Sequence, residues 1–300
     1  MTITSIELQH IIQQAFGRST SPVDVQQMPT GTVNRTALVT LDRGYRYIVR
    51  IGPGQQQITH APSWLTSFGL RRELAAIALL QSSLDILPVT LAHDFSRDVI
   101  DGDWVMQQVM PGTAWPGIVP GLPRASQHDL WRHLGDILRR IHAISGESFG
   151  PPAWSPPFPT WPDLLDRDLE GLAADAARYH LDLTPFTEFR QVIDAHRGEL
   201  SRVPARLIHS DLTFDHLFVT ERNGQWQVSG IIDLEFARFA DIVSESVLLD
   251  CLARHDAMSD AFFSGYGDRP DVSELRQTVA GTLHTLWGIT DAARLSHPPS

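Results

Sequence analysis

Residues 209–233 contain the feature that most restricts the fold, a short polar loop that runs directly into a β-hairpin. The loop, HSDLTFDH, carries two histidines and two aspartates within eight residues, and the apolar segment LFV follows it. The dipeptide Asn223-Gly224 predicts a two-residue hairpin turn, because a type I′ turn needs positive φ at both central residues. A packed core would not tolerate this density of charge. The loop is therefore either an elaborate turn or a functional site.

The predicted hairpin brings three polar side chains close together. With a two-residue turn, His216 is predicted to lie opposite Ile231. Asp233 lies two residues further along the same strand, diagonal to His216, and diagonal neighbours are about 7–8 Å apart at Cα. Asp211 precedes the hairpin in the same loop. One loop and one strand end therefore present two carboxylates and an imidazole within reach of a shared metal ion.

Two kinds of enzyme suit this group of side chains. Phosphoryl transfer needs a carboxylate that accepts the proton of the attacking hydroxyl, and a metal ion held against nucleotide phosphates. A zinc hydrolase, with His209, Asp211 and His216 as ligands, is the alternative. Aspartates that only cap turns are the simplest interpretation of each residue alone. His209 is better suited to holding the loop through hydrogen bonds than to transferring protons.

The rest of the chain predicts a strand-rich N-terminal part and a mostly helical C-terminal part. Leu70–Gln81 has apolar residues at helical spacing, and residues 30–52 alternate around a hairpin turn at Asp42–Gly44. Gly102–Gly112 predicts a short strand that ends at a Pro-Gly pair. Phe149–Leu165, rich in proline and tryptophan, predicts an extended loop. One long helix carries an apolar stripe, formed by Leu130, Leu134, Ile137, Leu138 and Ile141.

Composition excludes several classes of partner. The chain of 300 residues has a formal net charge of −11, and nucleic-acid backbones bind basic surfaces. No apolar run approaches membrane-spanning length, and the first residues lack the basic start and cleavage site of a signal peptide. We therefore expect a cytoplasmic enzyme with neither nucleic acid nor membrane as partner. All 24 lysine and arginine positions are arginine, so any step that usually employs lysine must employ arginine.

The chain resembles the aminoglycoside phosphotransferase family, the small-molecule branch of the kinase-like superfamily. HSDLTFDH resembles its catalytic loop, H-G-D-x-x-x-x-N, and GIIDLEFARFADIVSE resembles the segment that follows. The resemblance implies an α+β, protein-kinase-like fold with two lobes. Residues 1–108 would form a small antiparallel-sheet lobe with one packed helix, and residues 109–300 a larger, mainly helical lobe. It also implies Asp211 as catalytic base, and His216 and Asp233 as ligands of Mg²⁺.

The N-terminal part resembles the nucleotide-binding lobe of that family. Gly31 and Asn34 occupy the place of its nucleotide loop. Arg50 stands where a kinase strand presents its phosphate-binding lysine, and an arginine can contact two phosphate oxygens at once. Glu73 matches the helix glutamate that pairs with this cation. VMQQVMPG matches the hinge whose backbone reads adenine, near Gln108–Met110. The resemblance thus implies ATP or GTP as the phosphate donor.

Several positions depart from the family pattern. Ser210 and Ala240 replace glycines, Ile242 replaces a proline, Glu245 replaces an aspartate, and His216 takes the place of asparagine. Neutral histidine binds divalent metals, although it is a softer ligand than Mg²⁺ prefers. Histidine at this position is similar to the loop of the macrolide phosphotransferases. The departure therefore favours a macrolide-like acceptor over an aminoglycoside.

The acceptor is predicted from an aromatic segment. Four side chains are candidates for an apolar lid, although the same residues could only pack the loop onto helices: Trp115, Trp154, Phe158 and Trp161. We expect transfer to a hydroxyl of an antibiotic or related natural product, which would give resistance or self-protection. The alternatives are a kinase of choline, homoserine or a simple sugar, and an inactive nucleotide-binding pseudokinase. We expect a monomer or homodimer.

Overall fold

The chain forms two compact units. The first comprises residues 1–74 and 88–110, and the second comprises residues 75–87 and 111–298. The family resemblance implies a single division after residue 108, and that boundary stays a prediction. The computed structural model describes five stretches of the chain, residues 2–17, 19–28, 33–54, 69–152 and 157–296.

A five-stranded antiparallel sheet with the order β1-β2-β3-β5-β4 forms most of the first unit. Its strands are β1 (Asp24–Met28), β2 (Arg35–Thr40), β3 (Arg46–Ile51), β4 (Thr90–Asp94) and β5 (Trp104–Gln108). Helix α1 (Ser5–Phe16) packs on it, and Ile11 and Ile12 share a core with Val39 and Val49. Helix α2 (Gly69–Leu80) begins in the same unit.

The connection between β2 and β3 is the predicted hairpin. Arg43 and Gly44 have positive φ values of 61° and 78°, and the register continues without interruption along both strands. Strand β3 pairs with β2 on one side and β5 on the other. Arg50 therefore lies on a strand whose backbone is fixed from both sides.

Helices form most of the second unit, as predicted. They are α3 (Trp115–Ile118), α4 (Arg124–His142), α5 (Trp161–Arg178), α6 (Thr184–Leu200), α7 (Ser246–Ala253), α8 (Ala257–Tyr266) and α9 (Glu274–Ser296). Two small antiparallel sheets complete it, one of β6 (Thr113–Ala114), β8 (Leu217–Arg222) and β9 (Gln225–Ile231), the other of β7 (Arg206–Ile208) and β10 (Arg238–Ala240). Within the described stretches, no helix has the length and apolar character needed to cross a membrane.

Helix α4 is central to the core of the second unit. The predicted apolar stripe is buried along its whole length. Where α4 crosses α8, two glycines bring the backbones into contact. A Cβ on Gly135 would lie 2.1 Å from the carbonyl oxygen of Phe262, and one on Gly265 would lie 1.8 Å from that of Arg132. No residue with a side chain fits at either position without moving the helices apart.

Helix α5 corrects the prediction that Phe149–Leu165 is an extended loop throughout. The helix begins at Trp161, preceded by a capping box. Thr160 accepts a hydrogen bond from the Asp163 N–H, and the Asp163 carboxylate accepts one from the Thr160 N–H. Pro162 lies in the first turn, where its missing N–H costs nothing. The motif T-W-P-D is thus a helix start, which outweighs the proline-rich composition.

Candidate active site

The loop at residues 209–216 is fixed to the protein interior at its first two residues. His209 is fully buried, and its Nε2 lies 2.9 Å from the Ile232 carbonyl oxygen. The backbone N–H of His209 donates to Glu245 Oε2 at 2.7 Å, and that of Ser210 approaches the same oxygen at 3.4 Å. Hydrogen bonds to an ionised carboxylate are stronger than those between neutral groups. His209 and Glu245 therefore hold the loop, as the sequence predicts for His209.

Helices α4 and α8 contribute to the surroundings of Glu245. His142, the last residue of α4, places Nε2 4.0 Å from Glu245 Oε2 and Nδ1 2.8 Å from the hydroxyl oxygen of Tyr266 on α8. Burial acts to raise the pKa of Glu245, but the nearby His142 and His209 imidazoles and the His209 N–H together hold that pKa below its usual value. The loop is therefore anchored on a carboxylate that is ionised at neutral pH.

A β-bulge changes the predicted hairpin register. The turn at residues 223–224 has positive φ at both positions, as predicted. The pairing of β8 with β9 then shifts between residues 218 and 219. Leu217, and not His216, consequently lies opposite Ile231, so the predicted pairing was wrong. The physical reason is the bulge, which inserts one extra residue into β9 and which an ideal two-residue hairpin does not include.

The structure nevertheless brings Asp211, His216 and Asp233 together. Their ligand atoms all lie within 4.8 Å of one another. The Ile232 N–H donates to the His216 carbonyl oxygen at 3.0 Å, which joins the loop to the end of β9. Asp233 follows with a left-handed backbone (φ 66°), and its Oδ2 lies 3.5 Å from His216 Nε2. Residues with a Cβ rarely adopt positive φ, and such residues are concentrated at functional sites.

His216 presents its Nε2 to this group. Its Nδ1 lies 2.7 Å from the Asp211 carbonyl oxygen, so Nδ1 carries the proton and donates it. In the neutral form of the ring, Nε2 keeps its lone pair, and this atom faces the Asp233 carboxylate. Two electron-rich groups that face each other attract a cation between them. A set of two carboxylates and one imidazole therefore fits a divalent metal ion, with the carboxylates as the ligands that Mg²⁺ prefers.

Asp211 lies in an environment that increases its basicity. Burial raises the pKa of its carboxyl group above the usual value, and the charges of Asp233 and Glu245 act in the same direction. The His216 and His209 imidazoles oppose this rise. A carboxylate with a raised pKa is a better proton acceptor, which is the property that a general base needs.

In the first unit, Arg50 and Glu73 form the ion pair that the sequence predicts. Arg50 Nη1 lies 2.6 Å from Glu73 Oε2. Glu73 is fully buried, and its Oε1 accepts a hydrogen bond from the Gln107 side-chain amide at 2.9 Å. Sequence reasoning named the neighbouring Gln108 and missed Gln107. The first four residues of β5, Gln107 among them, are all buried, whereas Gln108 at the end of the strand is exposed.

Four other residues are predicted to bind nucleotide, and the structure describes three of them. Gly31 lies outside the described residues. Asn34 is partly buried just before β2. Gln108 ends β5, and its N–H donates to the Val89 carbonyl oxygen at 2.9 Å. Met110 follows two residues later and is partly buried. Their roles in nucleotide binding stay predictions.

The aromatic residues predicted to form a lid are mainly packed inside the second unit. Trp161 is 1% exposed and Trp115 is 4% exposed. Phe158 is partly buried, and Trp154 lies outside the described residues. Neither buried tryptophan offers a surface to a ligand, so the lid prediction was wrong for both. Trp161 is buried because the capping box places it in the first turn of α5.

An aromatic cluster that the sequence did not predict includes the polar loop itself. Phe214 stacks on Trp115, with ring centroids 5.3 Å apart, and contacts the ring of Trp131 edge-on at 5.6 Å. Phe214 is 37% exposed. An exposed aromatic ring, backed by two tryptophans, therefore lies three residues after Asp211 in the chain. The two tryptophans that pack on Phe214 are distant in sequence and gave no local signal. The one feature of the sequence that could have indicated a role for Phe214 is its position inside the polar loop.

Comparisons with known proteins are consistent with this geometry. A family model described as a phosphotransferase enzyme family matches residues 24–277. No curated protein sequence matches the chain. The structure of wild-type aminoglycoside 2′-phosphotransferase-IIIa with GDP is 16% identical, has a TM-score of 0.65, and is matched over 98% of this chain and 93% of that chain.

Two further solved structures share the fold. The gentamicin complex of APH(2″)-IIa is 14% identical with a TM-score of 0.65, over 96% of this chain and 89% of that chain. A thermostable mutant of APH(4)-Ia in ternary complex with AMP-PNP and hygromycin B is 16% identical with a TM-score of 0.59, over 98% and 99%. These likenesses confirm the α+β, protein-kinase-like fold. Because the family model covers most of the residues, the chain belongs to the phosphotransferase enzyme family.

Proposed function

We propose that this phosphotransferase transfers the γ-phosphate of ATP or GTP to a hydroxyl group of a small molecule. The observation that carries the proposal is the group formed by Asp211, His216 and Asp233, whose ligand atoms lie within 4.8 Å of one another. Phosphoryl transfer to a hydroxyl requires a proton-accepting carboxylate near a metal-binding pair. Structurally similar aminoglycoside phosphotransferases in complex with GDP or AMP-PNP support a nucleotide as donor.

Asp211 is the proton acceptor in this proposal. As the acceptor oxygen attacks the γ-phosphorus, its proton moves to the Asp211 carboxylate, and the bond from that phosphorus to the β–γ bridging oxygen breaks to release ADP or GDP. The raised pKa of Asp211 favours this transfer. Glu245, through the backbone N–H groups of His209 and Ser210, holds the loop that carries the base. The carboxylate is therefore positioned before the acceptor binds.

His216 and Asp233 are the residues that would hold Mg²⁺. When bound, Mg²⁺ would neutralise negative charge on the nucleotide phosphates. The hydrogen bond from His216 Nδ1 to the Asp211 carbonyl fixes the imidazole so that Nε2 faces Asp233. Hydrogen bonds of this kind orient metal-binding histidines in general.

Arg50 is the residue proposed to contact the phosphates of the donor. Its planar guanidinium can bind two phosphate oxygens at once, which an ammonium group cannot do with the same geometry. Glu73 holds the guanidinium at 2.6 Å, and Gln107 holds the second oxygen of Glu73. This chain of contacts orients Arg50 without a lysine.

We expect His216→Asn to retain more activity than His216→Ala. The asparagine side chain restores an oxygen ligand, whereas alanine removes the ligand altogether, and the loss of one supporting residue at a metal site typically costs about 10–100-fold in metal affinity or activity. The measurement is the Mg²⁺ concentration that gives half-maximal phosphate transfer. Equal losses in the two variants would show that His216 acts in another way.

Nucleotide binding, followed by transfer, tests the proposed reaction. We expect ATP or GTP to raise the melting temperature in the presence of Mg²⁺, because a ligand that binds only the folded state stabilises it. Absence of affinity for any nucleotide would overturn the proposal. Binding without transfer to any acceptor would indicate a pseudokinase. Hydrolytic activity that depends on Zn²⁺ and not on nucleotide would indicate the zinc hydrolase.

For the acceptor, we infer a hydroxyl on a bulky antibiotic or related natural product, macrolide-like ahead of aminoglycoside. Two features support this choice. Phe214 offers an exposed ring on the loop that carries Asp211, and apolar ring systems pack on such surfaces. His216 replaces the asparagine of the family pattern, as in the macrolide phosphotransferases. Such an activity would give resistance or self-protection.

A panel of acceptors with labelled ATP and GTP tests the substrate class. Mass spectrometry detects the added phosphate on macrolides, aminoglycosides, choline, homoserine and simple sugars. Transfer confined to the last three would overturn the antibiotic proposal and leave the kinase proposal standing. Gentamicin and hygromycin B, which occur in complexes of similar structures, represent the aminoglycosides.

We expect Phe214→Ala to raise the KM of the acceptor by about 2–10-fold, the effect of losing one aromatic contact of about 0.5–1.5 kcal/mol. The KM of the nucleotide should change less than that of the acceptor, because the proposed donor contacts come from Arg50 and, through Mg²⁺, from His216 and Asp233. Tyr45→Ala is the control, since it removes an exposed aromatic ring from the β2–β3 turn. An unchanged acceptor KM in Phe214→Ala would show that the ring does not contact the acceptor.

A further inference from the structure

Arg238 connects the residue before Asp211 to helix α5. Its Nε donates to Ser210 Oγ at 3.2 Å, and its Nη1 lies 2.5 Å from Asp168 Oδ2 on α5. Arg238 lies on β10, opposite Ile208 at the end of β7, the strand that leads into the loop. One guanidinium group therefore bonds both to the loop and to a helix that is distant in sequence.

In the pair formed by Arg238 and Asp168, the aspartate is buried and the arginine is mostly buried. The Arg238 side chain is 11% exposed and the Asp168 side chain is 1% exposed. Arg167 also contacts Asp168, at 3.3 Å, and burial lowers the pKa of Arg167. Separating the members of a buried pair leaves an uncompensated charge, which is strongly unfavourable. Asp168 therefore fixes the position of the Arg238 guanidinium.

Ser210 has a backbone conformation that favours glycine. Its φ is 70°, in the left-handed region. The family pattern has glycine at this position, whereas this chain has a residue with a Cβ. The group that serine adds to glycine is the hydroxymethyl, and its oxygen accepts the hydrogen bond from Arg238. The unfavourable backbone conformation thus coincides with a contact that glycine could not make.

We propose that Arg238 is a positioning residue for phosphoryl transfer. Held by Asp168, it fixes Ser210 and thereby the orientation of the Asp211 carboxylate. The inference rests on the proposed function, because it takes Asp211 as the base. Its physical basis is the sensitivity of rate to geometry, since a displacement of about 1 Å can lower a rate by about 100-fold.

A set of variants tests whether Arg238 acts through Ser210. We expect Ser210→Ala and Arg238→Gln each to lower kcat by about 10–100-fold and to leave the KM of the nucleotide unchanged. The double variant should be no slower than Arg238→Gln alone, because both changes break the same contact. Additive losses, or an unchanged kcat in Ser210→Ala, would overturn the proposal. Arg97→Gln is the control, since it removes one of the two arginines that pair with buried Asp103 and should leave kcat unchanged.

Arg238→Lys separates positioning from folding. The lysine ammonium group can pair with Asp168, but it lacks the planar guanidinium that bonds Asp168 and Ser210 at the same time. We therefore expect Arg238→Lys to have a higher melting temperature than Arg238→Gln, with kcat still low. Recovery of kcat together with the melting temperature would indicate a purely structural role and would overturn the proposal.

A measurement independent of turnover separates this inference from the proposed function. The NMR chemical shifts of the Asp211 backbone amide and side-chain carboxyl carbon report the position of the loop. We expect Ser210→Ala and Arg238→Gln to shift these resonances in the same direction, and Arg97→Gln to leave them unchanged. If the native protein transfers no phosphate, the proposed function is wrong. If the Asp211 resonances do not shift in the two variants, the inference that Arg238 positions Asp211 through Ser210 is wrong, whatever the activity.

Discussion

Asp211→Asn is expected to lower kcat by about 10²–10⁴-fold, the usual contribution of a general base. Asparagine is nearly the same size as aspartate but cannot accept the proton of the attacking hydroxyl. The loop should keep its conformation, because Glu245 anchors it through the backbone N–H groups of His209 and Ser210. Single-turnover transfer with enzyme in excess measures the chemical step directly.

Asp215→Asn is the matched control for this change. Asp215 lies in the same loop, four residues later, and is exposed. It loses the same charge but should keep kcat near the native value. Nucleotide affinity in the presence of Mg²⁺ should survive in both variants. If Asp211→Asn retained near-native turnover, another group would have to be the base.

Asp233→Asn should instead weaken the complex with Mg²⁺ and nucleotide, by at least about 10–100-fold. Asp233 Oδ2 lies 3.5 Å from His216 Nε2. Replacing the Asp233 carboxylate by an amide removes the anionic ligand that Mg²⁺ prefers and leaves only the neutral side chains of residues 216 and 233. Calorimetric titration of the nucleotide, with Mg²⁺ and with EDTA, measures the effect.

The dependence on Mg²⁺ distinguishes the roles of the two aspartates. Asp233→Asn should bind nucleotide more weakly than the native protein only when Mg²⁺ is present. In EDTA, the native and Asp233→Asn proteins should bind nucleotide with equal affinity. Asp215→Asn again controls for the lost charge. Equal affinities of the native and Asp233→Asn proteins in Mg²⁺ would show that Asp233 is not a metal ligand.

Local rules predicted the parts of the fold that depend on neighbouring residues. Asn223 and Gly224 have the positive φ values that their turn type requires. The stripe on α4 is buried because its spacing places it on one helix face. The ion pair between Arg50 and Glu73 was also expected, from the resemblance to a kinase-like pattern.

Two predictions of local structure were wrong, the register of the β8–β9 hairpin and the extended conformation of residues 161–165. The bulge in β9 shifted the pairing of His216 by one residue, and no dipeptide signals such an insertion. The capping box between Thr160 and Asp163 was present in the sequence, but the prolines around it suggested a loop.

The contacts that complete the candidate site are long-range. Phe214 packs on Trp115, and Arg238 pairs with Asp168, a residue that is 70 positions away in the chain. Periodicity and turn chemistry describe neighbours in sequence and carry no information about such pairs. Gln107 was missed for the same reason, because its partner Glu73 lies on another element.

The contact between α4 and α8 implies an evolutionary constraint outside the active site. Any substitution of Gly135 or Gly265 would force the helices apart. Tyr266 directly follows Gly265, and its hydrogen bond to His142 extends toward Glu245 at the base of the loop. Both glycines should therefore be invariant among close relatives. A survey that ranks positions by conservation alone would then place these two glycines among the substrate contacts, although what selection preserves there is the absence of a side chain.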